Sequence, residues 1–319
     1  MKRPSLSLVV PVYNEEENLS ILAGRLQEAV QGRDYEILFI DDGSTDKSFE
    51  VIRALAQKDQ RVKCLRFRRN FGQTAAISAG IEMAEGDVII PLDADLQNDP
   101  ADVPRLLEKL DEGYDVVSGW RRDRKDKTWT RVIPSKVANW LISRISGVRL
   151  HDYGCTLKTY RKEVIKGVRL YGEMHRFIPI YAAWEGARVT EIEVTHHPRQ
   201  FGQSKYGINR TVKVLLDLVT IKFLGSYATK PIYMFGGLGM LLCVAGAGFA
   251  GLTLYHKLAL DIYVHRNPFV LLSIFLILVG MQLVMMGVLA EILIRIYHET
   301  RKRPVYSVRE KVNISPAGE

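Results

Sequence analysis

The chain has 319 residues, 25% of them charged and 47% hydrophobic, with a formal net charge of +8, enough for one large domain or two ordinary ones. Its three cysteines, Cys64, Cys155 and Cys243, are far apart and form no C-x-x-C pair, which points to neither a disulfide framework nor a zinc site. The positive excess suits an anionic lipid surface or phosphate handling; no nucleic-acid-binding motif occurs, so nucleic acid is set aside as a partner.

Met1-Lys2-Arg3 ahead of Leu6–Val10 has the outline of a signal peptide. The apolar stretch is too short, however, and runs into Pro11-Val12-Tyr13-Asn14, so it reads as a first strand. Leu6–Val12 is continuously apolar, the pattern of a strand covered on both faces. Asn14 is placed to cap the following helix, with Glu15, Glu16 and Glu17 at its positive end, and Gly32 stops it. Tyr35–Ile40 is a second strand, followed by Asp41-Asp42-Gly43-Ser44-Thr45-Asp46 and another helix. Val62–Phe67 is a third strand, Gln73–Ala84 a helix and Asp87–Leu92 a fourth strand; Pro100–Leu110 and Asp115–Gly119 continue the alternation.

Repeated strand-then-helix units predict an α/β fold, a doubly wound and mostly parallel sheet. Such sheets bind ligands outside the carboxyl ends of their strands. The polar clusters sit there: Tyr13–Glu15 after the first strand, Asp41 and Asp42 after the second, Asp93 and Asp95 after the fourth. Asp93-Ala94-Asp95 closes the fourth strand, and since side chains alternate faces along a strand, both carboxylates are expected to point the same way. A lone D-x-D is more often a solvated turn, but the convergence of clusters favours a divalent cation bridging a diphosphate. Neither G-x-x-x-x-G-K-S/T nor G-x-G-x-x-G follows the first strand, so P-loop and dinucleotide-binding readings fall away.

The mean hydropathy of −0.03 averages two unlike parts. Pro231–Tyr255 and Pro268–Ala290 carry no charged residue, and each exceeds the roughly 20 residues that cross a ~30 Å hydrocarbon core. Lys213, Lys222 and Lys230 precede the first span, and Arg295, Arg301, Lys302 and Arg303 follow the second. The intervening His256–Asn267 has only Lys257 and Arg266 as firm positive charges, so both termini are expected in the cytoplasm and the loop outside. Gly246 with Ala250 and Ala247 with Gly251 suit close packing of the two spans. Asn209–Tyr227 reads as an amphipathic helix on the cytoplasmic leaflet, with packing against the soluble domain as the competing reading. The expected organisation is a cytoplasmic domain over 1–208, juxtamembrane helices over 209–229, a transmembrane hairpin over 230–294 and a tail over 295–319.

Two features carry bland readings. The run Arg121–Lys127 is as well explained by a solvated loop as by an acceptor-binding one. His196 and His197 close a strand without other metal ligands nearby, so a structural role is expected.

Pro11-Val12-Tyr13-Asn14-Glu15, the run D-D-G-S-T-D over Asp41–Asp46, Asn70-Phe71-Gly72-Gln73 and Asp93-Ala94-Asp95-Leu96-Gln97 occur in this order. Together they resemble family-2 glycosyltransferases of the GT-A fold, in the branch that loads sugars onto polyprenyl phosphates, such as bactoprenol glucosyltransferases. The resemblance spans essentially the whole chain, and the ordered set is more specific than any one motif. It implies that Pro11, Tyr13, Glu15 and Asp42 hold the donor nucleoside, and that Asp93, Asp95 and Gln97 engage Mg²⁺ or Mn²⁺ and the diphosphate. Arg121, Arg131 and Ser135 match positions that hold the acceptor phosphate in dolichol-phosphate mannose synthases, and Arg199 and Lys205 match a basic segment before the membrane region. Asp152 stands where relatives carry a candidate base, with positioning of the sugar as the alternative role.

The expected function is inverting transfer of a hexose, glucose from UDP-glucose in first place, to undecaprenyl phosphate at the cytoplasmic face of the inner membrane. The product would serve cell-envelope glycosylation. The implied partners are a nucleotide sugar, the polyprenyl phosphate and the bilayer, with a homo-oligomer left open. The alternatives are another sugar (mannose from GDP-mannose, N-acetylglucosamine or an amino sugar) or a non-catalytic membrane scaffold. A processive polysaccharide synthase is less apt, since no Q-x-x-R-W occurs.

Overall fold

The computed structural model describes residues 4–122, 139, 142–144, 146–166, 168, 174–198, 232–260, 263–299 and 306–314. Arg131, Ser135, Arg199, Lys205, most of the Arg121–Lys127 run and the amphipathic stretch 209–227 lie outside them. The chain divides into two units, Met1–Leu218 with Pro304–Glu319, and Val219–Arg303.

The first unit is built on one sheet of eight strands: β1 (Leu6–Val12), β2 (Tyr35–Asp41), β3 (Val62–Phe67), β4 (Val88–Pro91), β5 (Val116–Trp120), β6 (Lys158–Arg161), β7 (Val189–Glu193) and β8 (Val308–Val312). Their order across the sheet is β7-β5-β6-β4-β1-β2-β3-β8. The pairs β1–β2, β1–β4, β2–β3 and β5–β7 run parallel, whereas β6 pairs antiparallel with β4 and β5, and β8 with β3. The expected strand-then-helix alternation is present: α1 (Leu19–Ala29), α2 (Ser48–Lys58), α3 (Gln73–Met83) and α4 (Val103–Asp111) each follow one of the first four strands. Every residue of β2 is buried, because parallel strands covered by helices on both faces have no solvent side. Leu8, Val10, Ile37, Phe39 and Ile90 join Leu22, Leu26, Ile52 and Leu106 from the helices in one core.

Three local expectations are corrected. Asn14 does not cap α1, which begins at Leu19 after Asn18. Asn14 has a φ of 53°, a left-handed conformation that asparagine tolerates, and its Oδ1 accepts from the Thr45 amide at 2.8 Å. Asp93 and Asp95 do not share a strand face, since β4 ends at Pro91 and both carboxylates sit in the turn beyond it; Leu96 there has a φ of 59°. The segment read as a tail contains β8, an edge strand of the sheet.

The second unit holds α7 (Ile232–Ala259) and α8 (Pro268–Glu299); the short helices α5 (Lys162–Ile165) and α6 (Ile178–Trp184) belong to the first. Phe235–Ala259 and Pro268–Ala290 are long and apolar enough to cross a membrane, and most of their surface is uncovered within the protein. Close approach of α7 and α8 occurs at glycines. A Cβ on Gly239 would stand 2.5 Å from the Gly280 carbonyl oxygen, and one on Gly246 would stand 2.7 Å from Ile277. Ser273 Oγ donates to the Gly246 carbonyl at 2.8 Å. Gly246 therefore lies at the contact as expected, Gly251 has nothing within 4 Å, and Gly239 with Gly280 supplies a second close approach.

Candidate active site

The carboxyl ends of β1, β2 and β4 bring the polar clusters together through backbone. Asp42 follows β2, and its amide donates to the Val12 carbonyl at 2.8 Å. Its carboxylate accepts from the Phe71 and Gly72 amides at 2.6 and 2.9 Å. Burial pushes the Asp42 carboxyl up to about 6 despite these two amides and with a small contribution from neighbouring Asp41. Gly43 makes the approach feasible: its φ is 70°, and a Cβ there would lie 2.5 Å from the Arg69 backbone. The first and second strand ends are stitched by the Asn14 amide to Ser44 Oγ at 3.0 Å and the Glu15 amide to Ser48 Oγ at 2.8 Å. Glu15 also accepts from Asn18 Nδ2 at 2.6 Å. Pro11, Tyr13 and Glu15 are half-buried along this edge.

Asp93 is gripped from two sides. Oδ1 accepts from Gln73 Nε2 at 2.7 Å, and Oδ2 accepts from Thr156 Oγ1 at 2.8 Å. Asp95 is buried, with Oδ1 accepting from the Gln97 amide at 3.2 Å. The Gln97 carbonyl accepts from the His197 amide at 2.8 Å, Asn98 bridges to His196, and His197 Nε2 lies 2.9 Å from Asp99 Oδ2. The two histidines thus fasten the turn that carries the carboxylates. The donor set is two hard oxygen acids, and among the described residues no group of three or more His, Cys, Asp or Glu could cage a metal. That set fits a cation such as Mg²⁺ or Mn²⁺, which takes one or two carboxylates and completes its shell with substrate phosphates and water.

Beyond β5, Arg121 and Asp152 form a bidentate pair, Nε to Oδ2 at 2.7 Å and Nη2 to Oδ1 at 3.1 Å. Burial opposes the guanidinium's charge, but the Asp152 carboxylate, with Cys155 and Asp93 contributing, holds the Arg121 pKa above its ordinary value. Gly154 lets the loop fold over this pair, its amide donating to Asp152 Oδ1 at 3.0 Å, and a Cβ there would meet Arg121 Nη2 at 3.2 Å. Fully buried Lys158 donates to the carbonyls of Tyr153 and Cys155 and so fixes the loop from beneath. Burial pulls the Lys158 ammonium down to about 8.

The structure therefore links Asp42 to Asp93 through Phe71–Gln73, pairs Arg121 with Asp152 within electrostatic reach of Asp93, and sets Asp95 and Gln97 in the turn that follows β4. Thr156 and Lys158 carry no signal in the sequence that marks them as supports. Gln73 lies in the quoted N-F-G-Q run without a role assigned to it there. Only the turn geometry reveals that it reaches Asp93.

Residues 7–169 match the profile described as glycosyl transferase family 2. A dodecaprenyl-phosphate galacturonate synthase from Rhizobium johnstonii is 42% identical over 96% of this chain and 92% of its own length. An undecaprenyl-phosphate 4-deoxy-4-formamido-L-arabinose transferase from Edwardsiella ictaluri is 40% identical over 98% of this chain and 96% of its own. Among solved structures, glucosyl-3-phosphoglycerate synthase from Mycobacterium tuberculosis in complex with UDP is similar in fold, with a TM-score of 0.52 and 18% identity over 69% of this chain and 80% of that one.

Proposed function

The chain belongs to glycosyl transferase family 2, and from that premise we propose that it moves a sugar from a UDP-sugar to a polyprenyl phosphate at the cytoplasmic membrane face. The observation that carries this reading is the Arg68–Gln73 loop, whose Phe71 and Gly72 amides hold Asp42 and whose Gln73 side chain holds Asp93. One short segment thereby ties a carboxylate suited to a nucleobase N–H to a carboxylate suited to a diphosphate-bound cation.

In the proposed reaction an acceptor phosphate oxygen forms a bond to the sugar's anomeric carbon from the face opposite the diphosphate. The bond from that carbon to the diphosphate oxygen breaks, UDP leaves with the electron pair, and the configuration inverts. By analogy with phosphoserine, the acceptor phosphate has a second pKa of about 6 and is mostly dianionic at neutral pH, so it needs no strong base. Asp152 then serves to present Arg121: with the Nε and Nη2 edge held by its carboxylate, the remaining N–H groups on Nη1 and Nη2 would donate to phosphate oxygens. Arg131, Ser135, Arg199 and Lys205 are proposed to complete the acceptor's phosphate site. A divalent cation held by Asp93 and Asp95 with Gln97 alongside would supply charge stabilisation to the leaving diphosphate. Pro11, Tyr13 and Glu15 are proposed to line the nucleoside beside Asp42.

Glucose, the sugar expected first, is the weaker choice. The two relatives compared above are named for galacturonate and 4-deoxy-4-formamido-L-arabinose. Both sugars depart from glucose at ring carbon 4, and neither carries its hydroxymethyl group. We infer a donor altered at these two places. Purified protein with undecaprenyl phosphate and labelled UDP-glucose, UDP-galacturonate and UDP-4-deoxy-4-formamido-L-arabinose tests this. Label from one of the last two should enter the organic phase, and label from glucose alone would overturn the inference.

The two apolar helices are proposed to span the bilayer. The chain enters them from the catalytic unit and rejoins that unit at β8, which two crossings satisfy and one crossing does not. The flanking lysines and arginines support a cytoplasmic side for the catalytic unit and both termini.

A further inference from the structure

The strand that follows the hairpin begins beside the proposed donor pocket. β8 runs antiparallel to β3 from the pair Cys64 and Val312 to the pair Phe67 and Val308, and the Arg68 amide extends the ladder to the Ser307 carbonyl at 2.9 Å. One residue earlier, the Tyr306 ring stacks on Phe67 with centroids 4.8 Å apart and planes 19° from parallel. Its hydroxyl donates to Glu82 Oε2 on α3 at 2.8 Å. Phe67 in turn meets Phe71 edge to face at 5.7 Å, and Phe71 is the residue whose amide donates to Asp42. Such offset and edge-on aromatic contacts are favoured by the ring quadrupoles and restrict how each ring can tilt. Tyr306 is thus joined at one end to the strand leading into the Arg68–Gln73 loop and at the other to the helix leading out of it.

We propose that Tyr306 is a positioning residue for the nucleotide sugar, holding the Arg68–Gln73 loop so that its amides set Asp42 and Gln73 sets Asp93. The proposal rests on the reading of Asp42 and Asp93 as donor-binding groups. It makes the chain beyond the membrane hairpin part of the donor site rather than a tail. The stacked ring carries the effect, and the hydroxyl fixes its direction.

The test measures UDP affinity by calorimetry on the full chain in detergent, together with donor and acceptor KM and the melting temperature. Tyr306→Ala should weaken UDP binding and raise the donor KM about tenfold while leaving the acceptor KM unchanged, and Tyr306→Phe should stay within about twofold of the parent. If Tyr306 acts through Asp42, combining Tyr306→Ala with Asp42→Asn should weaken UDP less than the product of the two single effects. Fully multiplicative effects would overturn the proposal. An unchanged donor affinity in Tyr306→Ala, with Asp42→Asn weakened, overturns it and leaves the donor reading standing. An unchanged affinity in Asp42→Asn removes the donor reading and this proposal with it. Should Tyr306→Ala fail to fold, Tyr306→Leu fills the space without a flat ring, and parental donor affinity there overturns the proposal equally.

Discussion

Arg121 grips Asp152 through two parallel hydrogen bonds, Nε to Oδ2 at 2.7 Å and Nη2 to Oδ1 at 3.1 Å, with both side chains largely buried. Both carboxylate oxygens are occupied by the guanidinium, and Oδ1 also accepts from the Gly154 amide at 3.0 Å. That engagement suits a positioning role for Asp152 better than a base role, and the two make different kinetic predictions.

Asp152→Asn should raise the acceptor KM by about tenfold or more, the equivalent of ~1.4 kcal/mol, with a smaller change in kcat and no loss of the acid limb of the pH profile. Removing a general base would instead cost on the order of 10²–10⁴ in kcat. Steady-state kinetics in both substrates across pH tells the two apart. Asp152→Ala should also lower stability by roughly 3–5 kcal/mol, because it strands the buried Arg121 charge, and a denaturant titration would report this.

Asp95→Ala should nearly abolish transfer without unfolding the protein. A charge pair at 4 Å in an effective dielectric of 20 is worth roughly 4 kcal/mol, about a thousandfold in rate. EDTA should mimic the substitution, and added Mg²⁺ or Mn²⁺ should restore the parent but not the variant. Full activity in EDTA would remove the cation from the reaction.

Asp42 predicts a pH dependence of donor binding. Burial raises its carboxyl to about 6, so it is ionised above that value and able to accept from a base N–H. As the pH falls through 6 the carboxyl takes up a proton and the affinity should drop, approaching tenfold per pH unit. A non-hydrolysable UDP-sugar analogue is the suitable probe, because its esterified diphosphate does not titrate in this range. Asp42→Asn should bind more weakly at neutral pH and lose the dependence. A flat profile in the parent would detach Asp42 from the donor.

The first four strands are legible in the sequence because each is a short apolar run punctuated by polar turn residues, the pattern a doubly wound sheet imposes. The carboxylates at their ends are legible for the same reason, since the fold puts ligands there. The supports are not. Gln73 and Asp93 are 20 residues apart and Arg121 and Asp152 are 31 apart, and only the backbone path brings them within hydrogen-bond reach. β8 is the least legible element. Val308-Arg309-Glu310-Lys311-Val312 is an exposed edge strand, so charged residues occupy most of it, as they do where edges are protected against further pairing. Its partner β3 lies on the far side of the hairpin in sequence. The close approach at Gly239 and Gly280 is likewise illegible among many glycines, because only the helix register singles it out.

The hairpin and β8 are expected to make separable contributions, and two deletions test this. Truncation after Lys205 removes both the spans and Tyr306 with its strand, whereas replacing Ile232–Glu299 by a flexible linker removes the spans and keeps β8. The linker form should bind UDP as the parent does and should use a short-chain, soluble polyprenyl phosphate. It should transfer poorly to undecaprenyl phosphate in vesicles, because it loses the effective concentration that tethering supplies at the membrane surface. The truncated form should fail in both respects, since it also uncovers the β3 edge and the ring of Phe67 that Tyr306 covers. Melting curves for both forms establish that each is folded before affinities are compared. Parental transfer to vesicle-embedded acceptor by the folded linker form would show that the hairpin does not present the acceptor, and its role would pass to contacts between protein subunits.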